Sequence, residues 1–192
     1  RSAQLKKAVA SLTADLAAKA DEVKALQEEL AAKNIREFHS HQLREGFTLK
    51  REDGVCMGQK VTPIEKVGLY IPGGTAAYPS TVLMLAIPAK LAGCSEIVIT
   101  TPPSKNGSVA APILAAAKLA GVTRIFKVGG AQAVAALAYG TETVPAVDKI
   151  LGPGGAMVAE AKTRADGIVR AASLEVDGRV AKKYKAQMEQ NK

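Results

Sequence analysis

Three glycine turns carry the chemistry this sequence could perform: Gly73-Gly74, Gly129-Gly130 and Gly152-Pro153-Gly154-Gly155. Each follows a short apolar run and precedes a helical one, so each presents free backbone N–H groups at a helix start, donors suited to a phosphate or carboxylate. The clearest case is Val67–Thr81, where Val-Gly-Leu-Tyr-Ile reads as a strand, Pro72-Gly73-Gly74 stops it, and Pro79-Ser80 opens a helix. In a parallel sheet all three turns fall on one edge and can converge around one ligand. Tyr70, Tyr78 and Gln132 are the nearby side chains able to stack on, or hydrogen-bond to, a base or ribose. The spacing is not the G-x-G-x-x-G dinucleotide fingerprint, and no acidic residue ends the second strand to hold ribose hydroxyls.

Metal and proton chemistry find less support. The two histidines, His39 and His41, stand two apart on a helical run and point to different sides, which suits neither a shared ion nor a paired base. Cys56 and Cys94 are too few and too far apart for a disulfide framework or a zinc knuckle and read as free thiols.

The elements that must position the turns alternate regularly after Thr62-Pro63. Strand Lys66–Ile71 leads to helix Pro79–Ala92, strand Glu96–Thr100 to helix Val109–Ala120, and strand Arg124–Val128 to helix Ala131–Tyr139. Strand Lys149–Leu151 leads to a helix running through Thr163. Four parallel strands joined by right-handed crossovers follow, an α/β fold with an incomplete doubly wound sheet. Ahead of it, Phe47–Glu52 and Val55–Val61 flank Asp53-Gly54, the dipeptide of a tight β-hairpin turn. From Leu5 to Leu30, Leu5, Leu12 and Leu26 lie on one heptad track and Val9, Leu16, Val23 and Leu30 on the other, with Lys19 the interruption. This predicts an amphipathic helix, or a helical pair broken near Ser11 or Thr13. Its seam either covers the sheet of its own chain, the favoured reading, or pairs with a second copy. The organisation is thus a helical segment 1–45, a hairpin 46–63, an α/β domain 64–165 and a basic C-terminal helix 166–192.

With 192 residues, 47% hydrophobic and 23% charged, the chain has the make-up of a soluble globular domain. Aromatic residues are 4% and tryptophan is absent, so aliphatic side chains must fill the core. The net charge of +8 raises nucleic-acid binding as a question. Much of the excess lies in Lys162, Arg164, Arg170, Arg179, Lys182, Lys183, Lys185 and Lys192, with only Tyr184 as an interleaved aromatic, so a solvated helix face is expected and no nucleic-acid partner. No apolar run approaches the roughly 20 residues needed to cross a bilayer and no signal-peptide pattern opens the chain, so no membrane partner and a cytoplasmic setting are expected.

The segments Asn34–Gln42, Asp53–Gln59, Val67–Gly74, Tyr78–Met84, Val128–Ala133, Ala135–Glu142 and Val147–Gly154 together resemble the histidinol dehydrogenase family, NAD-dependent zinc oxidoreductases that end histidine biosynthesis. The likeness covers Asn34 to Lys162, about two thirds of the chain. It implies one of the family's two Rossmann-like domains, the one contributing most to NAD binding, with Tyr70 and Gln132 matching NAD-contacting residues and Gly73, Gly74, Gly154 and Gly155 lining the cofactor. Gly155 stands where the family has asparagine. The family's substrate motif, zinc ligands and catalytic Glu-His pair have no counterpart here, so no catalytic or metal residues are assigned and zinc is not expected. The resemblance therefore implies a truncated, isolated or engineered NAD-binding half, binding NAD weakly at most and inactive alone. Two alternatives stand beside it: a fragment active only with missing parts, since the family works as an intertwined homodimer, and a self-associating scaffold pairing through its terminal helices.

Overall fold

The computed structural model describes residues 2–73, 77–122 and 124–169. Its elements are α1 (Ser2–Ser40), β1 (Phe47–Lys50), β2 (Cys56–Gln59), β3 (Lys66–Tyr70), α2 (Pro79–Leu91), β4 (Glu96–Thr100), α3 (Ala111–Leu119), β5 (Arg124–Phe126), α4 (Gly130–Tyr139), β6 (Lys149–Leu151) and α5 (Ala156–Val169). The expected basic helix over 166–192 lies, from residue 170 onward, outside the described residues.

The α/β fold with a four-stranded parallel sheet is as the alternation predicts, in the order β5-β4-β3-β6. β3 and β4 occupy the middle and are buried on both faces, which is why their sequences run apolar without alternating. Helices α2 and α3 cover one face around Val67, Leu69, Ile87 and Ile99, while α4 and α5 cover the other. Register keeps the carboxyl ends level: Tyr70 pairs with Thr100, Thr100 with Phe126, and Leu69 with Leu151. At the opposite end Asp148 fastens β6 to β3, its carboxylate accepting the Lys66 N–H at 2.8 Å while its own N–H donates to the Lys66 carbonyl at 2.9 Å.

Several element ends differ from expectation by one or two residues, α5 runs on to Val169 past the expected Thr163, and two of the differences have local reasons. β5 stops at Phe126 because the Val128 N–H turns back to the Phe126 carbonyl. α3 starts at Ala111, not Val109, because Pro112 fits only the first turn of a helix.

The hairpin forms where Asp53-Gly54 places it, but its turn has three residues instead of two. Gly54, at φ +83°, donates to the Arg51 carbonyl, and the Arg51 N–H reaches Val55. Both strands are exposed, so Phe47, Leu49 and Met57, which share one face by register, stand uncovered.

α1 departs most from the favoured reading. It is one helix without a break, because the Thr13 hydroxyl is satisfied inside the helix by the Val9 carbonyl at 2.8 Å. It does not cover the sheet. That face is already occupied by α2 and α3, and the α1 residues that join their apolar cluster are Ala31, Ala32 and Ile35, leaving Val9, Leu12, Leu16, Val23, Leu26 and Leu30 53–71% exposed.

The two thiols give a first expected result. Burial pushes the Cys94 thiol up in pKa, outweighing a hydrogen bond that lowers it, whereas Cys56 is exposed on the ribbon. An aromatic disulfide reagent at neutral pH should label one thiol rapidly in the native chain, and the second only in denaturant.

Candidate nucleotide-binding rim

The carboxyl ends of the four strands carry the three glycine turns, and side chains tie these turns to one another. Tyr70, the last residue of β3, is 5% exposed and packs among Ala133, Val134, Ala138, Val158 and Ala165. Its hydroxyl accepts the Gly130 N–H at 3.1 Å, so the tyrosine links the end of β3 to the start of α4. The connection after β5 must pass over the end of β4 to reach the other face of the sheet. It does so at Gly129, where a Cβ would stand 2.6 Å from the Pro102 side chain. Gly73 lies against the same Pro102 and against the Thr101 hydroxyl. Gly152, at φ +128°, presses on the Tyr70 carbonyl so closely that a Cβ there would run into it.

The residues expected to bind a ligand are thus placed as follows. Gly73, Gly129, Gly130 and Gly152 meet through Tyr70, Pro102 and Thr101. Gln132 is exposed in the first turn of α4 and folds back toward Gly130, its Oε1 2.9 Å from where a Cβ on that glycine would stand. Gly154 is exposed and backs onto Val158, and Gly155 is exposed in open space, with no atom within 4 Å of where its Cβ would stand. Tyr78 is 43% exposed just before α2. Gly74 lies outside the described residues. Of the two roles expected for Tyr70, stacking and hydrogen bonding, the ring's position between α4 and α5 leaves the phenolic edge at the rim.

Charge separates the two ends of the sheet. The rim segments 71–78, 101–110, 127–130 and 152–155 contain Lys105 and Lys127 and no acidic residue, while Glu65, Glu96 and Asp148 lie at the amino ends of the strands. No acidic residue occupies the first turn of α2, α3, α4 or α5 either, so the positive ends of these helices are uncompensated. Such a rim suits an anion.

Sequence reasoning missed Lys162 by counting it with the solvated cations of the tail. It is half-buried, and its Nζ donates to the Gly152 carbonyl. Burial lowers its pKa. The only signal available was that helical side chains slant toward the N-terminus, which carries a long side chain back to the turn preceding its helix.

The residues 2–175 match the family model described as histidinol dehydrogenase. This chain belongs to the histidinol dehydrogenase family. It is 61% identical over 139 residues to histidinol dehydrogenase of Geobacillus kaustophilus, covering 72% of this chain and 33% of that protein. The corresponding enzyme of Acinetobacter baylyi is 55% identical over 166 residues, 86% of this chain and 36% of the relative. Among solved structures, histidinol dehydrogenase of Elizabethkingia anophelis superposes with a TM-score of 0.71 at 44% identity, covering 77% of this chain and 34% of that one. The chain thus spans about a third of the length of the histidinol dehydrogenases it matches. The match extends beyond the Asn34–Lys162 region that the sequence motifs delimit, taking in α1 and the start of the tail.

The family is NAD-dependent, and the rim's donors and lack of acids fit an anionic dinucleotide. Among the described residues no group of three His, Cys, Asp or Glu side chains could hold a metal ion. No described helix is long and apolar enough to cross a membrane.

Open space at Gly155 gives a second expected result. Its carbonyl accepts the Val158 and Ala159 N–H groups, making it the residue that caps α5. Gly155→Asn should fit without strain and, asparagine being a better N-cap than glycine, leave the thermal midpoint unchanged or slightly raised, read by thermal denaturation.

Proposed function

We propose that the carboxyl rim binds NAD weakly and without turnover, as a nucleotide-holding part of histidinol dehydrogenase. The observation that carries this reading is the joining of the three glycine turns through Tyr70 and Pro102 on a rim whose segments hold no carboxylate. Tyr70 contributes its hydroxyl edge, Gln132 an exposed amide, and Gly73, Gly154 and Gly155 backbone that a cofactor can approach. Oxidation of histidinol requires a base and a metal to take the alcohol proton while hydride leaves, and among the described residues no group of three His, Cys, Asp or Glu side chains could hold that metal. That work falls to parts of the family's longer chain. Two free thiols favour a reducing, cytoplasmic setting. The family match over α1 favours that helix as a family element, which leaves the reading of an engineered piece resting on Gly155 and the Ala-, Lys- and Glu-rich composition of the helix.

Calorimetric titration with NAD should show micromolar to low-millimolar binding, weakened about tenfold in Gln132→Ala by loss of the amide's hydrogen bonds. Histidinol, NAD and zinc together should yield no NADH with this chain. Absence of heat at millimolar NAD would overturn the binding reading, and NADH production would overturn the inactivity.

The exposed heptad positions of α1 favour a second reading, which can coexist with the first: two copies pair through this helix. Sedimentation should then show a dimer that reverts to monomer in Leu16→Glu. A monomer at high micromolar concentration would exclude it.

A further inference from the structure

Lys162 occupies a position that packing and charge both oppose. Its amine is half-buried and reaches back along α5 to the turn before that helix, where the helix dipole is positive and a cation is unfavourable. None of the four rim segments offers a carboxylate to balance it. Among the described residues its hydrogen-bond partner is the Gly152 carbonyl, which accounts for one of three N–H donors. Gly152 in turn lies against the Tyr70 carbonyl, at the boundary between β3 and β6. The sheet order reverses there: successive strands run outward on one side from β3 to β5, and β6 lies on the other, which is where open α/β sheets bind ligands.

We propose that Lys162 is the phosphate-binding residue of the rim, anchored on Gly152 through one N–H and offering the others to a nucleotide phosphate. This rests on the nucleotide reading above and adds to it the residue and the part of the ligand it recognises. An anion supplies a countercharge that none of the four rim segments offers, and burial strengthens the interaction by limiting screening by water. The reading also explains why a lysine in α5 is tolerated at the wrong end of the dipole.

The test compares NAD, ADP and adenosine on the native 192-residue chain, Lys162→Met and Lys162→Arg, with the thermal midpoint of each variant recorded. In Lys162→Met, NAD and ADP should each bind about tenfold more weakly while adenosine, lacking phosphate, binds as before. Lys162→Arg, which keeps the charge, should bind NAD within about threefold of the native chain. Equal weakening of adenosine and ADP would show that Lys162 merely shapes the turn, and unchanged ADP binding in Lys162→Met would show that it does nothing for phosphate. Either result overturns the proposal while leaving the nucleotide reading intact. A native chain that binds none of the three ligands overturns the nucleotide reading itself. If Lys162→Met fails to fold, Lys162→Gln replaces it in the same comparison and is judged by the same outcomes.

Discussion

Gly152→Ala should be the most damaging single-methyl change in this chain, costing about 3 kcal/mol or more. Two penalties add. Gly152 has φ +128°, a region in which side-chain-bearing residues are strained, and the added carbon would run into the Tyr70 carbonyl. A carbonyl in the centre of a sheet cannot give way as a flexible side chain can, because Tyr70 is held by pairing with Thr100 and by its hydroxyl at Gly130. β6, three residues long, would have to move away from β3. The thermal midpoint should fall by roughly 6–12 °C for a chain of this length. If the rim holds NAD as proposed, its affinity should fall with it, since the same shift moves the turn that follows β6. A variant with an unchanged midpoint would show that β6 does not press on β3 as described.

Leu137→Ala is the second large effect, at about 3 kcal/mol. Leu137 is fully buried on α4 and lies over Gly68 of β3, where a Cβ would stand 3.0 Å from both of its methyl carbons. Gly68 has no side chain to expand into the space left by truncation, and the buried members of the cluster, Val98, Val144 and Val147, are short, with the longer Phe126 and Ile150 only partly buried against it. The cavity would therefore persist. Because α4 also carries Gln132 and begins at Gly130, a loosened seat should disturb the rim as well. Chemical denaturation gives the stability change, and titration with NAD gives its consequence at the site. Leu137→Met, which keeps the volume, should cost less than about 1.5 kcal/mol.

What the sequence disclosed and what it concealed follow from the range of the interactions. The strands and glycine turns are local: Val-Gly-Leu-Tyr-Ile followed by Pro-Gly-Gly can only end one element and begin another, and the parallel alternation places the turns on one edge. Tyr70 was legible as the residue that ends β3 at the rim but not in its orientation. Both faces of β3 are covered, so no polar alternation marks which way the ring turns. Lys162 was hidden because its partner lies ten residues back, beyond the reach of any helical period. The heptads of α1 showed an apolar seam without showing what meets it, since the covering of the sheet by α2 and α3 is decided by topology. Of the rim itself, the glycines and Gln132 were readable. Pro102 and Thr101 were not, because they become neighbours of Gly73 and Gly129 only when the chain crosses β4.

The most direct measurement is an amide NMR map of this chain titrated with NAD. If NAD sits on the rim, shifts should concentrate at Tyr70, Gly73, Gly129, Gly130, Gln132, Gly152, Gly154 and Gly155, with α1 and the hairpin unmoved. Shifts centred on the hairpin or α1, or none at millimolar NAD, would contradict it.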